Sequence, residues 1–274
     1  MTFKTRQKLG KYTIGGCINK GPLASVYRAS DPVMGIQVAL KIPHRDIDPS
    51  TMEDFHKEVR LAVRLQHENV LPVLDAREID GEFVIVSPLG KETLGDRLER
   101  RLAGTKAMDL CGQAIAAVAH AHSMKIIHCD IKPENFILFP DNHLRLGDFA
   151  FAKKSLRTIK ASGSGTLGYI APEQAMGRPM FQSDVFSLGL VMYRVFSGKV
   201  PEWPFEWPPA GYERLKQRVR PELIAFIRKA LEVKPADRFR DGMEMQSAFA
   251  VIKSPARRQK GEKRIVPTGL PVWQ

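Results

Sequence analysis

Four polar side chains stand out in an otherwise largely apolar stretch at residues 126–150: Asp130, Lys132, Asn135 and Asp148. The first three follow one another at spacings of two and three residues, just ahead of an apolar strand-like run at 136–139. Asp148 comes thirteen residues after Asn135, beyond a second short run at 143–146. Asp141 and Asn142 between the runs read as a turn, so the two runs are expected to pair as a hairpin and bring Asn135 and Asp148 to one end. Such a site offers a carboxylate for a hydroxyl proton, an ammonium for a phosphate and two oxygen ligands for Mg²⁺. That is equipment for phosphoryl transfer.

Other elements must position these groups. Residues 12–30 alternate and turn like two strands joined by a loop at 19–26. The next strand, 36–42, has a period of two: Val38, Leu40 and Ile42 share one face, leaving Ala39 and Lys41 on the other. A small residue beside a lysine suits a surface that must admit an adenine ring and reach phosphates. Residues 48–66 read as a helix, with Ser50 or Thr51 as N-cap and Phe55, Val59, Leu65 and either Ala62 or Val63 on the buried side. Glu58 lies in its middle. Strands near 71–77 and 82–86 would complete a five-stranded small lobe, and from Thr93 the pattern turns helical. Leu110, Ala114, Ile115, Val118 and His122 describe one apolar helix face leading toward Asp130. His120 and His122, two positions apart on that helix, face different ways and read as ordinary helix residues rather than metal ligands. Further helices are expected around Leu188 and Met192, at 221–231 and at 241–252.

The set Asp130, Lys132, Asn135 and Asp148, with the motifs that follow it in order, resembles the eukaryotic-like (Hanks-type) serine/threonine protein kinase family. The resemblance covers roughly residues 10–252. It implies an α+β, bilobal fold, with a small five-stranded β lobe and one helix at about 10–87 and a larger, mainly helical lobe at about 91–252. It also implies Asp130 as the base for the substrate hydroxyl, Lys132 against the γ-phosphate, and Asn135 and Asp148 as metal ligands. ATP and Mg²⁺, with Mn²⁺ as a substitute, are the implied cofactors. Ile18, Asn19, Lys20, Gly21, Pro22, Leu23, Ala24, Ser25 and Val26 stand where the family carries Gly-x-Gly-x-x-Gly-x-Val over the nucleotide phosphates. Lys41, beside Ala39, would reach the α and β phosphates, with Glu58 orienting it. Ser87 and Leu89, just beyond Val86, resemble the lobe linker that hydrogen-bonds adenine. The run 165–173, ending in Ala171, Pro172 and Glu173, resembles the substrate platform. Within it Thr166 matches the threonine that bonds the catalytic Asp and Lys in serine/threonine kinases, so protein substrates with serine or threonine acceptors are implied. Asp184 would brace the catalytic loop, and Arg238 would pair with Glu173.

Three departures support a second reading, a nucleotide-sensing scaffold of the same fold that transfers phosphate poorly or not at all. The glycine loop keeps only Gly21 and Val26; Pro22 lacks an amide donor and Ala24 adds a methyl, while Asn19 tolerates positive φ. Cys129 replaces the usual arginine. Ala150 replaces the usual glycine after Asp148 and Phe149.

The 274 residues, 43% hydrophobic and 26% charged, suit a globular chain with a substantial core. Three widely spaced cysteines, Cys17, Cys111 and Cys129, suggest neither a disulfide framework nor a structural zinc site. No apolar run reaches the roughly 18 residues of a membrane span, and the start lacks an apolar signal core, so a cytoplasmic protein is expected. The formal charge of +12 is concentrated at Lys153, Lys154, Arg157 and Lys160 in one loop and from Lys253 to Arg264 near the end. Without interleaved aromatics, this pattern gives no reason to expect nucleic acid. Residues 1–9 read as a basic lead-in and 253–274 as a basic, disordered tail. The aromatic loop at 203–209 is expected to pack on its own lobe. Oligomeric state is left open.

Overall fold

The computed structural model describes residues 3–149, 167–202 and 204–253. Alternating apolar residues in the first part build a six-stranded antiparallel sheet from β1 (Lys8–Leu9), β2 (Tyr12–Lys20), β3 (Ala24–Asp31), β4 (Ile36–Pro43), β5 (Asp75–Ile79) and β6 (Glu82–Pro88), in the order β1-β2-β3-β4-β6-β5. Tyr12, Ile14, Tyr27, Ala29, Val38, Leu40, Val84 and Val86 cluster as its core. On β4 the period of two sends Val38 and Leu40 inward and leaves Ala39 and Lys41 on the opposite face. The sheet has one strand more than expected. Lys8–Leu9 pairs with β2, and Phe3 and Leu9 are buried, Phe3 edge-on to Tyr27 at 5.4 Å, so part of the lead-in is built into this lobe.

Helix α1 (Pro49–Arg64) begins at Asp48 rather than at Ser50 or Thr51. The Asp48 carboxylate accepts from Thr51 N at 3.0 Å, and Pro49 occupies the first helical position, where a missing N–H costs nothing. Phe55, Glu58 and Ala62 face inward, whereas Val63 is exposed. The strand expected from residue 71 starts only at Asp75, because the preceding chain is drawn to the other lobe. Leu71 N donates to Leu146 O and Leu146 N to Asn69 O, both at 2.8 Å. Asp80 and Gly81, at φ 52° and 77°, then turn β5 into β6.

The second lobe contains β7 (Glu92–Thr93), α2 (Leu94–Leu98), α3 (Gly104–Ser123), β8 (Phe136–Leu138), β9 (Leu144–Leu146), α4 (Pro172–Ala175), α5 (Phe181–Ser197), α6 (Tyr212–Arg218), α7 (Pro221–Ala230) and α8 (Gly242–Lys253). β7, β8 and β9 form a small antiparallel sheet in which Phe136 faces Leu146, which is the expected hairpin. α5 is buried along nearly its whole length and stops at Gly198, whose φ of 74° suits glycine. The aromatic loop packs on its own lobe: Trp207 lies edge-on to Tyr193 and Tyr212, and Phe205 stacks on Phe186. Trp203, Ala150, Thr166, the loop at 151–165 and the tail at 254–274 lie outside the described residues. Among the described residues no helix is long and apolar enough to cross a membrane.

Candidate active site

A short 3₁₀ turn, Pro133–Asn135, carries the stretch that holds Asp130 and Lys132 into β8. Asn135 donates through Nδ2 to the Asp130 carbonyl at 2.7 Å and to Asp130 Oδ2 at 2.9 Å, while Lys132 Nζ lies 2.8 Å from the same oxygen. One carboxylate oxygen of Asp130 is thus held from two sides. Using the Asn135 amide nitrogen in both bonds leaves Oδ1 of Asn135 for a cation.

Beneath this loop, Asp184 at the start of α5 is completely buried and accepts from His128 N at 2.7 Å and Cys129 N at 2.9 Å. The buried His122 joins Asp184 to α8: its Nε2 lies 3.0 Å from Asp184, and Gly242 N donates to its Nδ1 at 2.8 Å. His128 is a second connector. Its Nδ1 accepts from Asp130 N at 3.2 Å, its Nε2 lies 3.0 Å from Gly147 O, and its ring meets Phe149 edge-on at 4.7 Å. Those partners assign the Nε2–H tautomer. His128 therefore ties the backbone of Asp130 to that of Gly147, the residue just ahead of Asp148. Neither histidine carries a role in the sequence reading, since their partners are distant in sequence; a histidine two residues ahead of Asp130 is the only local signal.

Across the cleft, Lys41 Nζ sits 2.8 Å from both oxygens of Glu58 and 2.7 Å from Asp148 Oδ1. Three residues from β4, α1 and the segment after β9 thus meet at one ammonium. Burial opposes the charge of Lys41, but Asp148 and Glu58 outweigh it and hold its pKa above the ordinary lysine value. Burial also opposes the Asp148 carboxylate, yet Lys41 brings its pKa below the usual range. At Glu58 burial prevails over Lys41, Asp148 repels in addition, and the pKa is raised. Asp148 takes φ 65°, a left-handed conformation unusual for a residue with a side chain.

The expected nucleotide residues do not all behave alike. Ser87 on β6 lies opposite Ala39 on β4, and Val86 behind it is buried. Leu89 follows, half-buried, at the lobe junction. In the loop, β2 and β3 remain paired through Asn19↔Val26 and Lys20↔Ser25, so the reversal is confined to Gly21, Pro22 and Leu23, closed by Gly21 N to Ala24 O at 2.9 Å. Asn19 is extended strand and makes no use of its tolerance for positive φ. Ser25 is buried, its Oγ 3.1 Å from His44 Nε2, and is spent on that contact. Ile18 is half exposed, at 51%.

Farther out, Glu173 of α4 receives Arg238 in a two-pronged pair at 2.7 and 3.1 Å and Ser183 Oγ at 2.7 Å. Burial would raise the Glu173 pKa, but Arg238 and Ser183 bring it below the ordinary range. From the same helix, Gln174 donates to the Cys129 carbonyl at 2.5 Å.

A β-rich lobe presenting a lysine–glutamate pair to a helical lobe that holds Asp130, Lys132, Asn135 and Asp148 defines a bilobal architecture whose two lobes meet at the Lys41–Asp148 pair. The family model for the protein kinase domain matches residues 12–249, and the chain belongs to that family. It is 30% identical over 281 residues to the serine/threonine-protein kinase PknA of Mycobacterium tuberculosis, covering 95% of this chain and 65% of that protein. It is also 32% identical over 201 residues to PrkC of Bacillus subtilis, covering 70% of this chain and 31% of PrkC. The chain thus spans less than two thirds of the length of these relatives. Among solved structures, the PknI kinase domain of M. tuberculosis shares the fold with a TM-score of 0.69 at 24% identity, covering 92% of this chain and 99% of that one.

Proposed function

We propose that the chain transfers the γ-phosphate of ATP to serine or threonine hydroxyls of protein substrates, with the catalytic domain at 10–252. The observation that carries this reading is Lys41 joined at once to Glu58 and Asp148, opposite an Asp130 gripped by Lys132 and Asn135. Asp130 accepts the proton of the acceptor hydroxyl, and Lys132 neutralises charge beside it. Lys41, oriented by Glu58, binds the nucleotide phosphates.

The oxygens of Asn135 and Asp148 are hard donors that fit Mg²⁺, or Mn²⁺ in its place, and suit zinc poorly. Mg²⁺, when bound, supplies charge neutralisation for the phosphates. The scaffold reading draws no support from the site: Lys41, Glu58 and Asp148 lie within ion-pair reach of one another, as do Asp130 and Lys132 with Asn135 bonded to the same carboxylate, and transfer makes use of both groups. A cytoplasmic setting, where ATP is supplied, accords with the lack of a disulfide joining Cys17, Cys111 or Cys129.

Incubation with γ-labelled ATP, Mg²⁺ and a generic basic protein should label serine and threonine, and Asp130→Asn should abolish labelling. Asp148→Ala should abolish both transfer and Mg²⁺-dependent nucleotide binding while leaving the protein folded at the assay temperature. Tight nucleotide binding by the wild type without any transfer would establish the scaffold reading instead.

A further inference from the structure

Beyond the end of α2 lies a cavity of about 660 Å³ between residues 98–104, the C-terminal half of α5, and α6. Five arginines line it, Arg100, Arg101, Arg194, Arg214 and Arg218, against a single carboxylate, Glu99. Some of this charge is occupied. Arg100 pairs with Glu92, and Arg194 with Glu99 at 3.0 Å. Arg218 holds the carbonyls of Phe196 and Leu102 at 3.0 and 2.6 Å. Among the described residues, Arg101, Arg214 and Arg218 have no carboxylate in ion-pair range. The crowding is felt: burial, then repulsion by Arg214 and Arg101, lowers the pKa of Arg218.

The cavity is not remote from the chemistry. Arg194 forms part of its wall, and its other guanidinium nitrogen lies 3.0 Å from Tyr169 Oη and 3.6 Å from Glu134, two residues beyond Lys132. Through Arg194 the cavity wall is thus in contact with Glu134, four residues after Asp130 in the chain. Its lining includes no aromatic side chain on which a base could stack, which disfavours single-stranded nucleic acid. Guanidinium groups facing a common space favour carboxylate or phosphate groups, which accept their paired donors.

Building on the transferase reading, we propose that this arginine-lined cavity is a docking site for a clustered-anion segment of the protein substrate, made of acidic or phosphorylated side chains beside the acceptor. It acts as a specificity element: substrate chains bearing such a segment are held while the acceptor engages Asp130. Recognition is by charge, so it weakens with ionic strength.

The test uses the full chain and peptides in which the acceptor is replaced by alanine, so that binding is read independently of transfer. Each peptide carries a run of four glutamates, four phosphoserines or four glutamines, on either side of the alanine. In fluorescence anisotropy at low salt, a glutamate or phosphoserine peptide should bind about tenfold more tightly than its glutamine counterpart. Whichever anionic run binds more tightly identifies the source of the charge. Arg101→Glu/Arg214→Glu should erase the preference while leaving the melting temperature near that of wild type, since both side chains are exposed, and Arg101→Lys/Arg214→Lys should retain most of it. Equal binding of anionic and glutamine peptides, or a preference that survives charge reversal, would overturn the proposal. So would the absence of binding by any of the peptides. Failure of the transferase reading would appear as absent labelling with the peptide preference intact.

Discussion

At Lys41 one ammonium faces two carboxylates, and the two respond to acid in opposite senses. Glu58 has a raised pKa because burial outweighs Lys41, so the folded protein binds its proton more tightly than the unfolded chain does. Its contribution to stability therefore increases as pH falls through the folded value toward the unfolded one. Asp148, with its depressed value, does the reverse: its contribution is present above the unfolded value of about 3.9 and is lost as pH falls through the folded value. Protonating Glu58 removes the charge that orients Lys41 before Asp148 titrates. Activity should consequently decline at a pH above the ordinary glutamate value of about 4.3, while the protein is still folded. Glu58→Gln should lower the rate about 100-fold through misplacement of Lys41 and flatten this acid limb. Rate profiles and thermal melts on the same samples check it, and an acid limb that coincides with unfolding, or persists in Glu58→Gln, would refute the assignment.

Between elements, the ion pair of Glu173 and Arg238 joins α4 to the turn before α8. The guanidinium is fully buried and also holds the carbonyls of Gln182, Glu232 and Val233. Removing it strands a carboxylate and three carbonyls, so Arg238→Ala should cost about 3–5 kcal/mol in denaturant titration. Because the Glu173 pKa is depressed, the wild type should lose this contribution as pH falls through the folded value, and the variant should show a shallower acid dependence. A variant within about 0.5 kcal/mol of wild type would contradict the structural role. This pair, the Asp130–Asn135–Asp148 hairpin and the two faces of β4 were all legible in the sequence, since they follow from short periods or an ordered set of motifs. The start of β5 was not. Period alone cannot reveal that Asn69, with Nδ2 donating to Leu144 O at 2.9 Å and Gln113 Oε1 at 3.1 Å, pins the preceding chain to the other lobe. The helix cap was missed for a more local reason: Asp48, Ser50 and Thr51 are all competent caps, and Pro49 at the first helical position selects Asp48. The linking roles of His122 and His128 depend on partners in α8 and beyond β9, so no local pattern could assign them.

Over the whole molecule, Asp130 is positioned from behind. Asp184 grips the backbone at His128 and Cys129, His122 passes that anchorage to α8, and His128 links it to Gly147 ahead of Asp148. These connections run through buried groups and need no charge delivered from the loop at 151–166. In kinases that are switched by loop phosphorylation, the residue before the catalytic aspartate is the arginine that captures the phosphate. Here it is Cys129, buried, its thiol pKa pushed up to about 12 by burial and by the nearby Asp184 and Asp130. A thiol that stays neutral at physiological pH cannot form a charge-assisted bond to phosphate. Phosphate on Ser155, Thr158, Ser162 or Ser164, which lie outside the described residues, would find no cation at position 129 through which to act on Asp130. Activity should therefore be independent of phosphorylation in this loop. Changing Ser155, Thr158, Ser162 and Ser164 together to alanine should preserve most of the rate of peptide phosphorylation, and phosphatase treatment of the wild type should leave it unaltered. Thr166→Ala should lower the rate, because the matching threonine in serine/threonine kinases bonds the catalytic Asp and Lys. A fourfold variant that loses activity, with the same loss produced in the wild type by phosphatase, would show that a phosphate switch operates through another cation despite Cys129.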